Sequence, residues 1–233
     1  MEECLITSWN AINHYVGTDS MVFSATEVPH DIELYFRKYR HYVRSGGEYV
    51  ILYRAREEGV EIANQRLFDE LSARWHNEVL SFKERFYTAR QYLRANNLMQ
   101  WIALHKVFDE IIEILRMMNE RRSLYIVTMK DKESVLLILQ RHGININEGN
   151  IFDVNEISDK LDCLSTIARN AQTDLSQLVF IDDNITHLIK PKQAGVNCYM
   201  AGWGYSTEEQ VGVAIENFIP VISLSEAKSK LVN

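Results

Sequence analysis

Two adjacent carboxylates, Asp182 and Asp183, close the short apolar run of "LVFIDDN", and a second such run, "LYIVT", ends on the hydroxyl of Thr128. Carboxylates are hard oxygen ligands suited to Mg2+, whereas a hydroxyl, a lysine ammonium and the amino ends of helices suit phosphate oxygens. Ligands of open parallel sheets bind beyond the carboxyl ends of the strands, so groups at the ends of two strands converge there. Each residue also has a plainer use. Paired acids form turns readily, and threonine is a good β-branched strand residue.

The elements that must position these groups are legible in a change of hydrophobic period. After Arg122 the runs "LYIVT" (124–128), "NIFDV" (150–154), "LVFIDD" (178–183) and "VNCYM" (196–200) are each followed by turn chemistry and a helical pattern, the signature of βα units on a mostly parallel sheet. Gly143 stops the helix of "KESVLLILQRH", and Ser206 with Glu209 has the spacing of a capping box. "CLITSW" at the amino end reads as one more strand. Between them, Phe68, Leu71, Trp75, Val79, Phe82, Phe86, Ala89 and Leu93 recur at steps of three and four, which predicts one long helix over about 60–94, and a second helix runs from Leu98 to Arg121. The expected architecture is an α/β core of residues 1–17 and 116–233, interrupted by a mainly helical insertion over 18–115.

That order resembles the haloacid dehalogenase-like (HAD) superfamily with a helical cap inserted after the first strand. The family's second motif, a strand ending in Ser or Thr, is similar to "LYIVTMKDKESV" with Thr128. Its third, a lysine opening a helix, is similar to "ISDKLDCL" with Lys160, although "SDK" is also how a capped, solvated helix begins. Its fourth, a strand followed by two acids, is similar to "LVFIDDN", and "AGVNCYMAGWGY" (194–205) resembles the next strand and loop. The resemblance implies a Rossmann-like sheet, phosphate bound by Thr128 and Lys160, and Mg2+ held by Asp182 and Asp183.

The family's first motif, DxDxT/V, supplies a nucleophilic Asp and a general acid/base. "CLITSWNAI" set on that strand puts Ser8 and Asn10 in those places, and no Asp or Glu lies between Glu3 and Asp19. Asn10 cannot give and recover a proton as a carboxylic acid does, Ser8 has no evident base, and His187 stands where many members carry another acid. The resemblance therefore implies a catalytically degenerate, pseudophosphatase-like protein with weak Mg2+ binding. Its cleft between core and cap would take a small phosphorylated molecule or a protein partner. The alternatives are an active phosphomonoester hydrolase using unconventional residues such as Ser8 or His14, and an interaction protein with a vestigial cleft.

Composition bounds these readings. The 233 residues are 46% hydrophobic and carry a formal charge of -7, which gives no overall attraction to a phosphodiester backbone. The basic-aromatic segment "YFRKYRHYVR" (35–44) is the one hint of nucleic acid, and it reads first as an amphipathic cap helix with solvated charges. Cys4, Cys163 and Cys198 are widely spaced and read as reduced thiols of a cytoplasmic protein. No run approaches the roughly 20 apolar residues that span a bilayer, and the amino terminus lacks an export signal. Dinucleotide, Walker and zinc-ligand spacings are lacking from the sequence.

Overall fold

A computed structural model describes residues 1–121, 124–156 and 159–231; Ile157 and Ser158, which open the lysine motif, lie outside the described residues. The chain divides into two compact units, Met1–Lys106 and Val107–Asn233.

The first unit is helical. It runs through α1 (Glu2–Ile12), α2 (His30–Tyr39), α3 (Tyr49–Glu57), α4 (Gln65–Arg74), α5 (His76–Asn96) and α6 (Leu98–Ala103). Residues 2–12 are thus a helix in this unit, not the expected strand of the α/β core, and the boundary falls after residue 106 instead of 115. The short apolar run is locally compatible with either form, and its partners decide. As a helix it starts with Glu2 and Glu3 at the positive end of the helix dipole and buries Leu5, Ile6 and Ala11. It also brings Glu3 onto α5, where Arg90 grips the carboxylate with Nε–Oε1 at 2.7 Å and Nη2–Oε2 at 3.1 Å. Burial alone would disfavour the Arg90 charge, but Glu3 outweighs it and raises the guanidinium pKa further.

The long helix expected over 60–94 is two helices. Trp75 ends α4 and begins α5 with a backbone at φ -103 and ψ 29, and its indole is buried. The helix expected over 98–121 likewise parts into α6 and a later helix, after the His105 ring Nδ1 comes to 2.9 Å from the Trp101 carbonyl. Asn64 and Asn97 cap α4 and α6 through their side chains. Phe36, Tyr49 and Phe86 stack at centroid separations of 5.0 and 5.3 Å in this core.

The second unit alternates helix and strand: α7 (Asp109–Glu120), β1 (Ile126–Val127), α8 (Lys132–Arg141), β2 (Ile151–Phe152), α9 (Lys160–Asn170), β3 (Val179–Asp182), α10 (Ile185–Gln193), β4 (Asn197–Ala201), α11 (Glu208–Glu216), β5 (Val221–Ile222) and α12 (Leu224–Leu231). Among the described residues every pairing is parallel, β1 with β2 in one sheet and β3–β4–β5 in another, so the α/β reading holds for this unit. The four apolar runs became β1 to β4, and β5 adds a strand too short to show a period. Side-chain caps at Asp131, Asp159, Asn184 and Thr207 start α8 to α11. The capping box before α11 is Thr207 with Gln210, one residue later than the expected Ser206 with Glu209. Gly143, at φ +73, follows α8 as expected.

Candidate functional site at the carboxyl ends of the strands

β3 delivers Asp182 to its carboxyl end, where the side chain is 10% exposed and meets three donors. Lys160 Nζ, from the first residue of α9, donates to Oδ2. The Asn184 N–H donates to Oδ1 at 2.8 Å, and the His187 Nδ1 stands 3.1 Å from Oδ1 and 3.2 Å from Oδ2. Burial by itself would raise the Asp182 pKa, but the Lys160 charge and His187 overrule it and hold the carboxyl well below the usual range. Lys160 also donates to the Val127 carbonyl at 3.4 Å and lies 5.7 Å from the Phe180 ring centroid. One ammonium therefore ties the ends of β1 and β3.

Thr128 continues the β1–β2 pairing, its N–H donating to the Phe152 carbonyl at 2.9 Å. Its Oγ1 accepts the Lys130 N–H at 3.1 Å, and a hydroxyl that accepts a bond keeps its proton to donate. Asp183 accepts the Tyr205 N–H at 3.0 Å on Oδ2. That contact depends on Gly204, because an added Cβ there would come to 2.1 Å from the Asp183 Cβ. Thr128, Lys160, Asp182 and Asp183 all belong to the second unit, at or beside the carboxyl ends of its strands.

Ser8 and Asn10 belong to the first unit and have other work. Ser8 is fully buried, donates to the Leu5 carbonyl at 3.0 Å and lies 2.9 Å from the Tyr53 hydroxyl. Asn10 is equally buried and makes a reciprocal pair with Val22, Nδ2 to the carbonyl at 2.8 Å and the Val22 N–H to Oδ1 at 2.9 Å. They sit on a helix rather than at a strand end, and they hold their own core together. The strand alignment that assigned them nucleophile and acid/base positions is corrected by that helix.

Asp182 as it stands offers Mg2+ little. Both Asp182 oxygens already face Lys160 or His187, and among the described residues no three His, Cys, Asp or Glu side chains gather as metal ligands. Three cations of the 35–44 segment pair with acids of their unit, Arg37 with Glu33 at 2.7 Å, Lys38 with Glu61 at 3.0 Å, and Arg44 with Glu48 and Asp69 at 3.0 and 2.7 Å, while Arg40 donates to the Val43 carbonyl at 2.9 Å and lies over the Tyr49 ring. Tyr39 and Tyr42 are buried.

What the sequence reading missed is the company Asp182 and Asp183 keep. His187, beside Asp182, lies five residues after it in the first turn of α10, and Gly204, beside Asp183, is the second glycine of "AGWGY". Their spacing was visible, but their partners were not.

Fold and site together define an α/β unit of parallel strands with a charged cluster at the strand ends, in a chain with a separate helical unit. The chain matches no family model, no curated protein and no solved structure. No helix among the described residues is long and apolar enough to cross a membrane.

Proposed function

We propose that the second unit is a Rossmann-like core of HAD type that binds a small phosphorylated molecule at the carboxyl ends of β1 and β3 without turning it over, the helical unit taking the part of a cap. The observation that carries this reading is the Lys160 ammonium, buried between the Val127 carbonyl and the Asp182 carboxylate. An ammonium has three donors, and two are engaged here, so a phosphate oxygen can take the third. The Thr128 hydroxyl and the amino ends of α8 and α10, which follow β1 and β3, add donors suited to the same anion. The reading assigns no turnover because the family's DxDxT/V motif has no counterpart in the sequence, which leaves the nucleophile and the acid/base unsupplied. Mg2+ enters this reading only as a weak ligand, since the Asp182 oxygens are held by Lys160, His187 and the Asn184 N–H. The free cysteines suit a reducing cytoplasm, with burial pushing the Cys198 thiol up to about 11.

The test is calorimetric titration of the protein with inorganic phosphate, run beside an assay of p-nitrophenyl phosphate hydrolysis. Saturable phosphate binding that Lys160→Met and Thr128→Val each weaken, with no hydrolysis, is the expected result. Absence of phosphate binding to the folded parent overturns the reading. Hydrolysis that copurifies with the protein and disappears in Asp183→Asn replaces it with an active hydrolase.

A further inference from the structure

We infer that Asp182 makes the anion site selective for a phosphate that carries a proton, by accepting a hydrogen bond from its P–O–H group, and that sulfate is rejected for want of that proton. This rests on the phosphate reading and names the class of anion within it. Asp182 is salt-bridged to the Lys160 ammonium, so it stands as a carboxylate, with about four lone-pair positions and no donor. Three donors meet those positions. The Asn184 N–H goes to Oδ1 at 2.8 Å, and Lys160 Nζ donates to Oδ2. A carboxylate only accepts, so the His187 Nδ1 carries its proton and shares it between Oδ1 at 3.1 Å and Oδ2 at 3.2 Å. One acceptor position is left. It falls on Oδ2, because Oδ1 has both the amide and the shorter of the two imidazole contacts.

The partner of Oδ2 also has capacity to spare. The Val127 carbonyl and Oδ2 take two of the three Lys160 donors and leave the third. An open donor and an open acceptor thus sit on two atoms bonded to each other. Hydrogen phosphate matches that pair, with a bare oxygen to accept from Nζ and a P–O–H to donate to Oδ2. Sulfate has the same tetrahedral shape and the same double charge, but its oxygens can only accept. Facing Oδ2 it leaves the carboxylate acceptor unpaired, and a polar group of the site left without its partner is what discriminates most strongly between close analogues. The Lys160 and Asp182 side chains are only 9% and 10% exposed, so little water competes for either position. Asp183 does not share this task. Its Oδ2 is turned to the loop after β4, where it accepts the Tyr205 N–H at 3.0 Å against Gly204.

The test is calorimetric titration of the full chain with sodium phosphate and with sodium sulfate at matched ionic strength, at a pH where phosphate is mostly the hydrogen phosphate dianion. Saturable phosphate binding, with sulfate at least about a hundredfold weaker, is the expected result. Asp182→Asn puts an amide N–H in place of the open acceptor, so it should bring the two anions to within about threefold of each other, chiefly by a gain in sulfate affinity. Circular dichroism establishes that the variant is folded, and the comparison of the two anions on the parent decides the inference even if it is not. Equal binding of phosphate and sulfate by the parent overturns the inference and leaves the phosphate reading standing. Binding of neither anion overturns both. A folded Asp182→Asn that keeps the preference of the parent places the discrimination on another group and overturns the role of Asp182.

Discussion

Gly204 lies so close to Asp183 that a methyl group on its α-carbon would come within 2.1 Å of the Asp183 Cβ, while the neighbouring Tyr205 N–H bonds the same carboxylate at 3.0 Å. The loop after β4 is therefore fitted to the acid at the end of β3, and the absence of a side chain is what lets the fit exist.

Gly204→Ala should accordingly destabilise the protein by about 1–3 kcal/mol, the usual range for overpacking a tight contact. Gly212, inside α11, has open space around its α-carbon, so Gly212→Ala should be neutral or stabilise by up to about 1 kcal/mol. Urea unfolding of both variants checks the contrast. Equal effects would show that the Gly204 contact with Asp183 does not constrain the loop.

Ser8→Asp places a carboxylate in a fully buried site beside the Tyr53 hydroxyl, and Asn10→Ala strips the Val22 backbone of both its bonds. Each should cost about 2 kcal/mol or more, because buried polar or charged groups lose their partners. Melting curves with and without Mg2+ are the measurement. Recovery of Ser8→Asp by Mg2+ would put Ser8 at a metal site and contradict its place in the helical core.

Arg90→Met leaves the Glu3 carboxylate buried at 2% side-chain exposure without its guanidinium. A loss of about 3–5 kcal/mol is expected for breaking such a pair from one side. Glu3→Gln combined with Arg90→Met should recover part of that loss, since no charge is then left unpaired. A double variant as unstable as the sum of its singles would mean that packing, and not the pair, sets the cost.

Asp182 gives the acid limb of stability a defined sign. Its folded pKa is depressed below the unfolded value of about 3.9, so its contribution is complete above that pH and is lost as pH falls toward the folded value. Unfolding free energy should decline below about pH 4, and the decline should be shallower in Asp182→Asn, which has no carboxylate to protonate. Denaturant titrations across that range measure it, and equal slopes in parent and variant would remove Asp182 from the account.

Much of the second unit could be read from the chain because its signals are short-range. A strand here is a few apolar residues bounded by turn formers, and α8 to α11 start on side chains two or three residues from the amides they cap, as Asp131 does for Ser134 at 3.0 Å. Thr128, Lys160 and Asp182 stand at element ends for the same local reason, so their neighbourhood followed once the strands were placed. The capping box slipped by one residue because Ser206–Glu209 and Thr207–Gln210 offer the same spacing, and only the backbone selects between them.

What the sequence by itself determined is the alternation of strand and helix after residue 124 and the apolar stripes of the helices before it, both written in periods of a few residues. Tertiary structure alone decided the rest. Residues 2–12 became a helix because Arg90, Tyr53 and Val22, distant in sequence, satisfy Glu3, Ser8 and Asn10 in that form. The helical stripe broke at Trp75 because its indole is buried where the chain turns. Asp182 became a depressed, triply bonded carboxylate because α9 and α10 bring Lys160 and His187 to the same strand end. Short periods report which face of an element is apolar. They carry no information on which distant donor will meet a given polar atom once that face is covered.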